Sequence, residues 1–324
     1  TAYEIEERLV GSEMCIRGLV ERTFREYLEP MDSLESYTYL TTGIGTTETT
    51  IAYDGDLLSI EEEDALDGGA IIEIGTELMY SKGLNAAGNT ITVSRGARGT
   101  TAQTHSTNDL IKLSPAFPRI NVFNAVKDQI ENLYPTLYAI EEQTIAAATG
   151  YVALTGGDDN RIVAPLKAVS QYTNLSSGSE TSVQFRGVAV ELIDVPTTVT
   201  ASGKVVQFSG VNNGVNVHCT FKKKFGEITN EDTTLSSIGL ETEYEPIVMA
   251  GVAAQILAGR DIPSATAEYI TESMALTTFP VNSATSIRNS LLQYQQVLIN
   301  QARKDLRARF PEPVTLNSVV YPSA

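Results

Sequence analysis

The chain has 324 residues, of which 42% are hydrophobic and 19% charged, a composition that is typical of a folded globular protein and excludes a disordered one. This length is sufficient for two or three domains. No apolar run approaches the roughly 20 residues that a membrane-spanning helix needs, so we expect no membrane contact. The two cysteines, Cys15 and Cys219, are far apart in the sequence, which favours a reducing compartment such as the cytoplasm over a disulfide framework.

The net charge of −17 is unevenly distributed along the chain. Residues 1–80 hold 19 acidic and 4 basic side chains, a net charge of −15, whereas the rest of the chain is nearly neutral. Proteins that bind the phosphate backbone tightly replace its counterions with Lys and Arg, so we do not expect the acidic part to bind DNA in this way. The acidic field is either a solvated face that maintains solubility or a functional surface.

The predicted elements begin with a helix over residues 3–29, in which apolar residues recur near the 3.6-residue period and Pro30 ends the pattern. Short β-type runs separated by Gly and Thr follow, and they predict strands at 49–53, 70–74, 77–82, 90–94 and 110–113. A second helix is predicted over 118–140, with an apolar stripe that ends near Pro135. A second β region then predicts strands at 151–154, 162–169, 181–185, 188–193, 204–208 and 215–221.

The last third of the sequence is typical of helices. A helix over 246–258 is apolar on all sides and is expected to be buried, a second is predicted near 264–276, and a third runs from after Ser283 to about Phe310. The fold class is therefore α+β, a helical body built from three separated segments with two antiparallel β insertions, a small β module and a sandwich-like or barrel-like domain. The predicted domains are 1–39 (N-terminal helix), 40–114 (small β module), 115–143 (helix), 144–242 (β-sandwich-like domain) and 243–324 (C-terminal helices and tail).

Residues that could support catalysis or metal binding are scarce. The chain has two histidines, His105 and His218, and the neighbouring His218 and Cys219 would point to opposite faces of a predicted strand rather than form a nucleophilic pair. Acidic clusters at 54–56, 61–64 and 156–160 could offer oxygen ligands to Ca²⁺, but their spacing differs from an EF-hand loop and also suits ordinary turns. We therefore predict no catalytic, cofactor-binding or metal-binding residue, and no enzymatic activity.

Two clusters of charge and one tail remain as candidate contacts. The predicted C-terminal helix carries Arg288, Arg303, Lys304, Arg307 and Arg309 against Asp305 alone. Cations near the C-terminal end of a helix interact favourably with its dipole, so these residues either stabilise the helix or contact an acidic partner. The short run 222–224 of three lysines is expected at a solvated hairpin tip. The β-prone residues of the tail, Leu316 and Tyr321 among them, could add a strand to the edge of a neighbouring sheet.

Residues 88–105 contain a strand that ends in Arg95-Gly96, then Gly99-Thr100-Thr101-Ala102 and, shortly afterwards, His105. This stretch resembles a segment of tailed-bacteriophage structural proteins. Residues 71–80, 123–135, 253–260 and 291–311 resemble further parts of the head-to-tail connector proteins of the phage neck, also called adaptors. The resemblance covers about half of the chain and leaves 144–240 unassigned.

The resemblance implies a virion structural protein, assembled in the host cytoplasm, that forms a homo-oligomeric ring at the head–tail junction. Such a ring sits on the portal protein, with twelvefold symmetry by analogy, extends the DNA channel and joins a downstream neck or tail protein. DNA would pass through it without sequence-specific binding. The acidic residues Glu61, Glu62, Glu63 and Asp64 would then either line the channel and repel phosphates or contact a basic partner.

Two other classes remain open. The stretch 88–105, called the β signature below, also resembles segments of tail and baseplate proteins, so a tail or baseplate component is the first alternative. A carbohydrate-binding or depolymerising protein is the second, although a chain without Trp is poorly supplied with stacking platforms for sugars. The signature has a physical explanation too: Gly96 and Gly99 permit a tight reversal, and Arg95 and Arg98 can reach carboxylates or carbonyls that fix the loop. This explanation favours a structural turn over a binding site.

Overall fold

The computed structural model describes residues 15–28, 36–156, 159–174, 182–258 and 284–310, and for Ile60 and residues 171–174, 182–185 and 284–286 it describes the backbone alone. The chain is a mixed α+β protein whose described strands all pair antiparallel. The described helices are α1 (Ile16–Thr23), α2 (Ile60–Asp67), α3 (Arg119–Leu133), α4 (Glu245–Ile256) and α5 (Ala284–Arg309). The strands are β1 (Tyr37–Tyr39), β2 (Thr50–Ala52), β3 (Ile71–Ile74), β4 (Glu77–Asn85), β5 (Thr90–Ser94), β6 (Leu110–Leu113), β7 (Ala139–Ala146), β8 (Tyr151–Ala153), β9 (Ile162–Asn174), β10 (Ser182–Gly187), β11 (Ala189–Asp194), β12 (Lys204–Ser209) and β13 (Asn216–Lys223).

Two compact units divide the described residues. One, the first unit below, takes in Ile16–Gln129 and Val248–Tyr294 and contains the small β module. The other, the second unit, takes in Cys15, Ile130–Ile247 and the described residues 295–310, and contains the larger β domain.

The small β module of the first unit is a six-stranded sheet in the order β1-β6-β3-β4-β5-β2. The sheet curls into a half-barrel, and its two edge strands meet at one end, where Leu40 bridges Tyr53. Backbone hydrogen bonds run there from Thr41 N to Ala52 O and from Asp54 N to Tyr39 O, each 3.0 Å long. Joining the edges removes unpaired strand backbone that would otherwise be open to another chain.

The interior of the half-barrel follows from the two-residue period of its strands, which places alternate side chains on the inner face. In β5, for example, Ile91 and Val93 are buried whereas Thr92 is exposed. The residues of this core are Leu40, Ile44, Ile51, Tyr53, Leu66, Ile72, Ile74, Met79, Ile91, Val93, Ile111 and Leu113. Leu66 comes from α2, and Ser81 of β4 fastens this helix to the sheet through its side chain, which donates to the carbonyl of Leu66 at 2.5 Å.

The β domain of the second unit contains a four-stranded sheet, β10-β9-β13-β7, and a three-stranded sheet, β11-β12-β8. Apolar residues from both sheets form one core, as expected for a sandwich. The buried members of this core are Ile145, Ala147, Leu154, Ile162, Ala168, Val206, Val217, Cys219 and Phe221. The antiparallel two-sheet arrangement matches the sandwich alternative of the sequence analysis.

The helices bury different shares of their surface. In α4 almost every residue is buried, including Val248 and Val252, which confirms the expectation for this all-round apolar segment. Gln255 is its exposed exception and is bonded to α3, accepting from Gln129 at 2.9 Å and donating to Asp128 at 3.3 Å. None of the helices in the described ranges combines the length and the apolar composition required to cross a bilayer.

Some helices and strands have the bounds that the sequence pattern predicted, and others do not. The strands predicted at 90–94 and 110–113 are confirmed residue for residue as β5 and β6. The second predicted helix ends close to Pro135, as its apolar stripe indicated, because α3 stops at Leu133. The outer bound of 140 is too long, since β7 begins at Ala139. The helix predicted over 3–29 is described only from Ile16, and the helix predicted near 264–276 lies outside the described residues.

Two elements were not predicted. Helix α2 occupies the acidic run 60–67, and β1 lies within the segment assigned to the N-terminal helix although it pairs with β6 in the half-barrel sheet.

Replacing Phe221 by Ala should destabilise the protein by about 3–5 kcal/mol, because Phe221 is fully buried in the sandwich core and its removal leaves a cavity. Urea unfolding followed by far-UV circular dichroism would measure the loss. Tyr151→Ala, at a position that is 60% exposed in the neighbouring sheet, should change the free energy of unfolding by no more than about 0.5 kcal/mol. Equal effects of the two substitutions would contradict the assignment of the core.

Candidate functional site

The most densely bonded polar cluster lies inside the half-barrel around the carboxylate of Glu77, the first residue of β4. Glu77 is fully buried. Arg95, which directly follows β5, donates two parallel hydrogen bonds to the carboxylate, from Nε to Oε1 and from Nη2 to Oε2, each 2.7 Å long. The backbone N–H of Gly96 donates to Oε1 at 3.1 Å and that of Gln103 to Oε2 at 2.9 Å, and His105 Nε2 lies 3.0 Å from Oε2.

Arg95 also binds three backbone carbonyls with its remaining N–H groups. Its Nη1 donates to Gly45 O at 2.8 Å and to Glu48 O at 3.0 Å, and its Nη2 donates to Gln103 O at 2.6 Å. A guanidinium has five N–H donors, so every donor of Arg95 has a partner. The side chain is 7% exposed and joins two loops to the sheet, the loop before β2 and the loop before β6.

The electrostatics of Glu77 follow from two opposing effects. Burial by itself would raise the pKa of the carboxyl, because the charged form loses its hydration. The hydrogen bonds from Arg95, Gln103, His105 and Gly96 favour the charged form more strongly and lower the pKa of Glu77 from 4.5 to about 2. The carboxylate is therefore ionised throughout the physiological range.

The geometry suits a structural centre rather than a reacting one. The bonds to Glu77 come from a guanidinium, two backbone N–H groups and an imidazole that is itself 5% exposed, so the donors of the site are directed at a protein carboxylate. Gly96 has a left-handed backbone (φ +65°), and a Cβ there would lie 2.8 Å from Thr100 O, which explains the glycine. The Arg-Gly stretch thus fixes a loop, as the structural interpretation of its sequence predicted.

The acidic residues singled out in the sequence lie on α2, where they divide into two pairs. Glu62 completes a capping box with Ser59, accepting from the Ser59 N–H at 2.6 Å, and Glu63 accepts from the hydroxyl of Tyr53 at 2.8 Å. Burial and this bond raise the pKa of Tyr53 to about 12. Glu61 and Asp64 are exposed on the same helix. Half of the predicted acidic face therefore has an intramolecular role and half remains accessible.

The predicted basic contacts also divide. Arg303, Lys304 and Arg307 are exposed on α5. Arg309, in contrast, donates to Glu241 at 2.9 Å, and this bond raises the pKa of its guanidinium further above the ordinary value. The tail residues Leu316 and Tyr321 lie outside the described residues.

The remaining candidates from the sequence have structural positions. His218 is exposed with Nδ1 2.9 Å from Thr144 Oγ1, whereas Cys219 is buried on the opposite face, where burial raises the pKa of its thiol to about 11. Asp159, one of the candidate Ca²⁺ ligands, is buried. Its carboxylate accepts from the N–H of Gly156 and from the side chain of Gln143, both at 2.6 Å. Within the described ranges no three His, Cys, Asp or Glu residues are grouped so as to hold a metal ion.

The three lysines at 222–224 are not at a hairpin tip, and that expectation is wrong. The first two belong to the end of β13, and the ammonium of Lys222 lies 4.4 Å from the ring centroid of Tyr138. Lys223 is paired with Glu141 at 3.1 Å. The sandwich thus uses these lysines to cover its own aromatic and acidic side chains.

One exposed apolar surface was not predicted from the sequence; it is formed by Tyr37, Tyr39, Leu57 and Leu110. These side chains are 38–49% exposed on and beside the half-barrel. The alternation Tyr37-Thr38-Tyr39 was the available signal, but a strand of three residues next to a predicted helix is too short to be recognised by its pattern.

Comparison with known proteins gives no independent assignment. No model of a known protein family matches the chain, and no curated protein is significantly similar to it in sequence.

Replacing Glu77 by Gln should destabilise the protein by about 3–5 kcal/mol, because the substitution leaves the guanidinium of Arg95 buried without its counter-charge. Chemical unfolding at neutral pH would measure this. Glu48→Gln is the matched control, since Glu48 bonds Arg95 only through its backbone carbonyl and its side chain is exposed. A Glu77→Gln protein as stable as the control would show that the cluster does not stabilise the half-barrel.

The same cluster predicts a pH dependence. Because the folded pKa of Glu77 is about 2 and the ordinary value is 4.5, its ionisation stabilises the fold above about pH 4.5 and this contribution is lost as the pH falls toward 2. The difference in unfolding free energy between the wild type and Glu77→Gln, measured from pH 7 to pH 2, should shrink across that window. A difference that stayed constant down to pH 2 would contradict the assignment to Glu77.

Proposed function

We propose that this chain is a virion structural protein of a tailed bacteriophage, in which copies form a ring at the head–tail junction. The proposal depends on α5, a 26-residue helix most of whose described side chains are exposed or half-buried. At 1.5 Å per residue it is about 39 Å long. Of its described side chains only Ile287, Ser290, Leu291 and Leu306 are buried.

The exposed surface of α5 is not simply a solvated polar face. Leu292 is 38% exposed and Val297 is 62% exposed, while Leu298 and Ile299 are half-buried. Cations follow on the last turns, and the helix holds no acidic residue except Asp305. α5 buries one apolar stripe, marked by Ile287, Leu291 and Leu306, as long helices usually do. Leu292 and Val297 lie outside this stripe, and accessible apolar side chains beside basic ones favour contact with another protein chain.

The proposed role combines this helix with the resemblance to neck proteins. The helical segments 16–28, 119–133, 245–256 and 284–309 would form a common body between neighbouring subunits, and the two β regions would be insertions in that body. The ring would sit on the portal protein, twelvefold by analogy, extend the DNA channel and receive a downstream neck or tail protein. In this role the chain carries no cofactor and catalyses no reaction.

The charge distribution supports a role in which DNA passes the protein without binding tightly to it. The half-barrel segment 36–80 contains ten carboxylates and no Lys or Arg. Glu73 and Glu77 are buried, and the other eight carboxylates are exposed or half-buried. A surface with these eight carboxylates repels phosphate groups, which suits a conduit through which DNA has to move. It also suits a basic protein partner.

Immunogold labelling of intact virions should place the protein at the head–tail junction, and mixing purified protein with the portal should give rings in negative-stain images. The reason is that a connector is held by the portal on one side and by the tail on the other. Intact tails purified without heads, probed with the same antibody, serve as the control and should be unlabelled.

Two results would contradict this function. Labelling confined to tails without heads would identify a tail or baseplate component. Release of reducing ends from capsular polysaccharide by the purified protein would identify a carbohydrate-acting protein.

A further inference from the structure

One region of the half-barrel exposes apolar and aromatic side chains next to each other. Tyr37 and Tyr39 project from the same face of β1, with their rings 6.1 Å apart in an edge-to-face arrangement. Leu110 is the direct partner of Tyr39 in β6. Leu57 follows in the turn after Asp54, whose carbonyl accepts both the Leu57 N–H and the hydroxyl of Thr38. We call Tyr37, Tyr39, Leu57 and Leu110 the aromatic patch.

Carboxylates border the aromatic patch. The side chain of Ser36, which precedes Tyr37, lowers the pKa of Glu62 on α2, so this helix begins near β1. Asp56 in the turn and Glu61 and Asp64 on α2 are exposed. The neighbouring cation in the sheet, Lys112, is opposite Tyr37 in β6, and its ammonium lies 5.4 Å from the ring centroid of Phe24.

The end of α5 has the complementary chemistry. Arg303, Lys304 and Arg307 are exposed, and none of them has an acidic partner among the described residues. Val297, two turns earlier, is 62% exposed and adds an aliphatic contact. The aromatic patch belongs to the first unit, whereas residues 295–309 belong to the second.

We propose that the basic end of α5 in one copy docks on the aromatic patch of a second copy. The guanidinium groups of Arg303 and Arg307 stack on Tyr37 and Tyr39, a geometry that Arg adopts readily on aromatic faces. Asp56, Glu61 and Asp64 supply the opposite charge at the border. Val297 covers apolar surface of the aromatic patch.

Two arguments favour a second copy over another occupant. Each copy carries one aromatic patch and one basic helix end, so the two surfaces are always present in equal number. The carboxylates of Asp56, Glu61 and Asp64, on the elements next to the aromatic patch, repel DNA and therefore argue against nucleic acid as its ligand. Because the two surfaces differ, the contact is heterologous, and successive contacts give a closed ring when the rotation between copies closes.

This inference rests on the proposed function, since it specifies the contact through which the ring forms. It also assigns Glu61 and Asp64 to a contact between subunits rather than to the channel lining. The two assignments differ in what they predict for assembly, because only a contact requires the opposite charge on a neighbouring copy.

Charge reversal on each side tests the contact in the full-length protein. One variant carries Arg303→Glu and Arg307→Glu, and the other carries Glu61→Lys and Asp64→Lys. Each alone should weaken self-association about tenfold or more, measured by sedimentation velocity and native mass spectrometry. An equimolar mixture should restore association, because the reversed helix end meets the reversed patch and the two unreversed surfaces still match.

Matched controls separate this contact from general effects. Arg288→Glu reverses another exposed cation of α5 and should leave association unchanged. Tyr37→Ser with Tyr39→Ser should weaken association without charge reversal, whereas Tyr151→Ser, at the 60% exposed position in the sandwich, should not. Thermal unfolding of each variant verifies that the fold is retained.

The outcomes distinguish this inference from the proposed function. Rings that form equally well with both reversals would overturn the contact and leave the function standing. A wild-type protein that stays monomeric at every concentration, yet is found at the head–tail junction, would also overturn the contact alone. A reversal-sensitive species that contains only two copies would support the contact and count against the ring.

Discussion

The buried ion pair of Glu77 and Arg95 is the constraint on which the half-barrel depends. Moving two charges out of water is costly, and their attraction offsets that cost only when the geometry is good and the remaining donors and acceptors have partners. Here the carboxylate receives two guanidinium bonds, two backbone N–H groups and an imidazole, and the guanidinium binds three further carbonyls. The loops that supply those groups can therefore adopt only conformations that reach the same point.

Charge of opposite sign is separated in this chain between a helix end and a β module. The carboxylates of the segment 36–80 lie on and around the half-barrel, whereas the exposed cations Arg303, Lys304 and Arg307 follow one another at the end of α5. This separation does little for the stability of one chain, because water and salt screen exposed charges. It becomes useful when copies meet, since it favours one orientation and disfavours like surfaces facing each other.

The sequence was sufficient where local pattern and local structure agree. Strands β5 and β6 follow from alternation between turns, and α4 follows from an apolar segment with a proline in its first turn. Helix α2 was not predicted because its acidic residues were read for charge, although Ser59 and Glu62 have the spacing of a capping box. That signal was present in the sequence and would have identified the helix.

The Glu77 centre was only half predictable. Arg95 was expected to reach a carboxylate or carbonyl, and it reaches both, whereas Arg98 has a left-handed backbone (φ +52°) and is exposed. Which carboxylate it meets depends on the register of β4 with β5, and register is a property of the assembled sheet. The aromatic patch could not be predicted from the sequence for the same reason. Leu110 is 71 positions from Tyr39, and only strand pairing makes them neighbours.

The bond between Arg309 and Glu241 has a consequence for the contact proposed for α5. It connects the last turn of the helix to the residues that precede α4, and an ion pair of this kind, with Arg309 half exposed, restrains fraying of the helix end modestly. Arg303, Lys304 and Arg307 are consequently presented from a backbone that is already ordered before any encounter. Preorganisation of this kind reduces the loss of conformational entropy on association, so a modest contact area can suffice for a lasting complex.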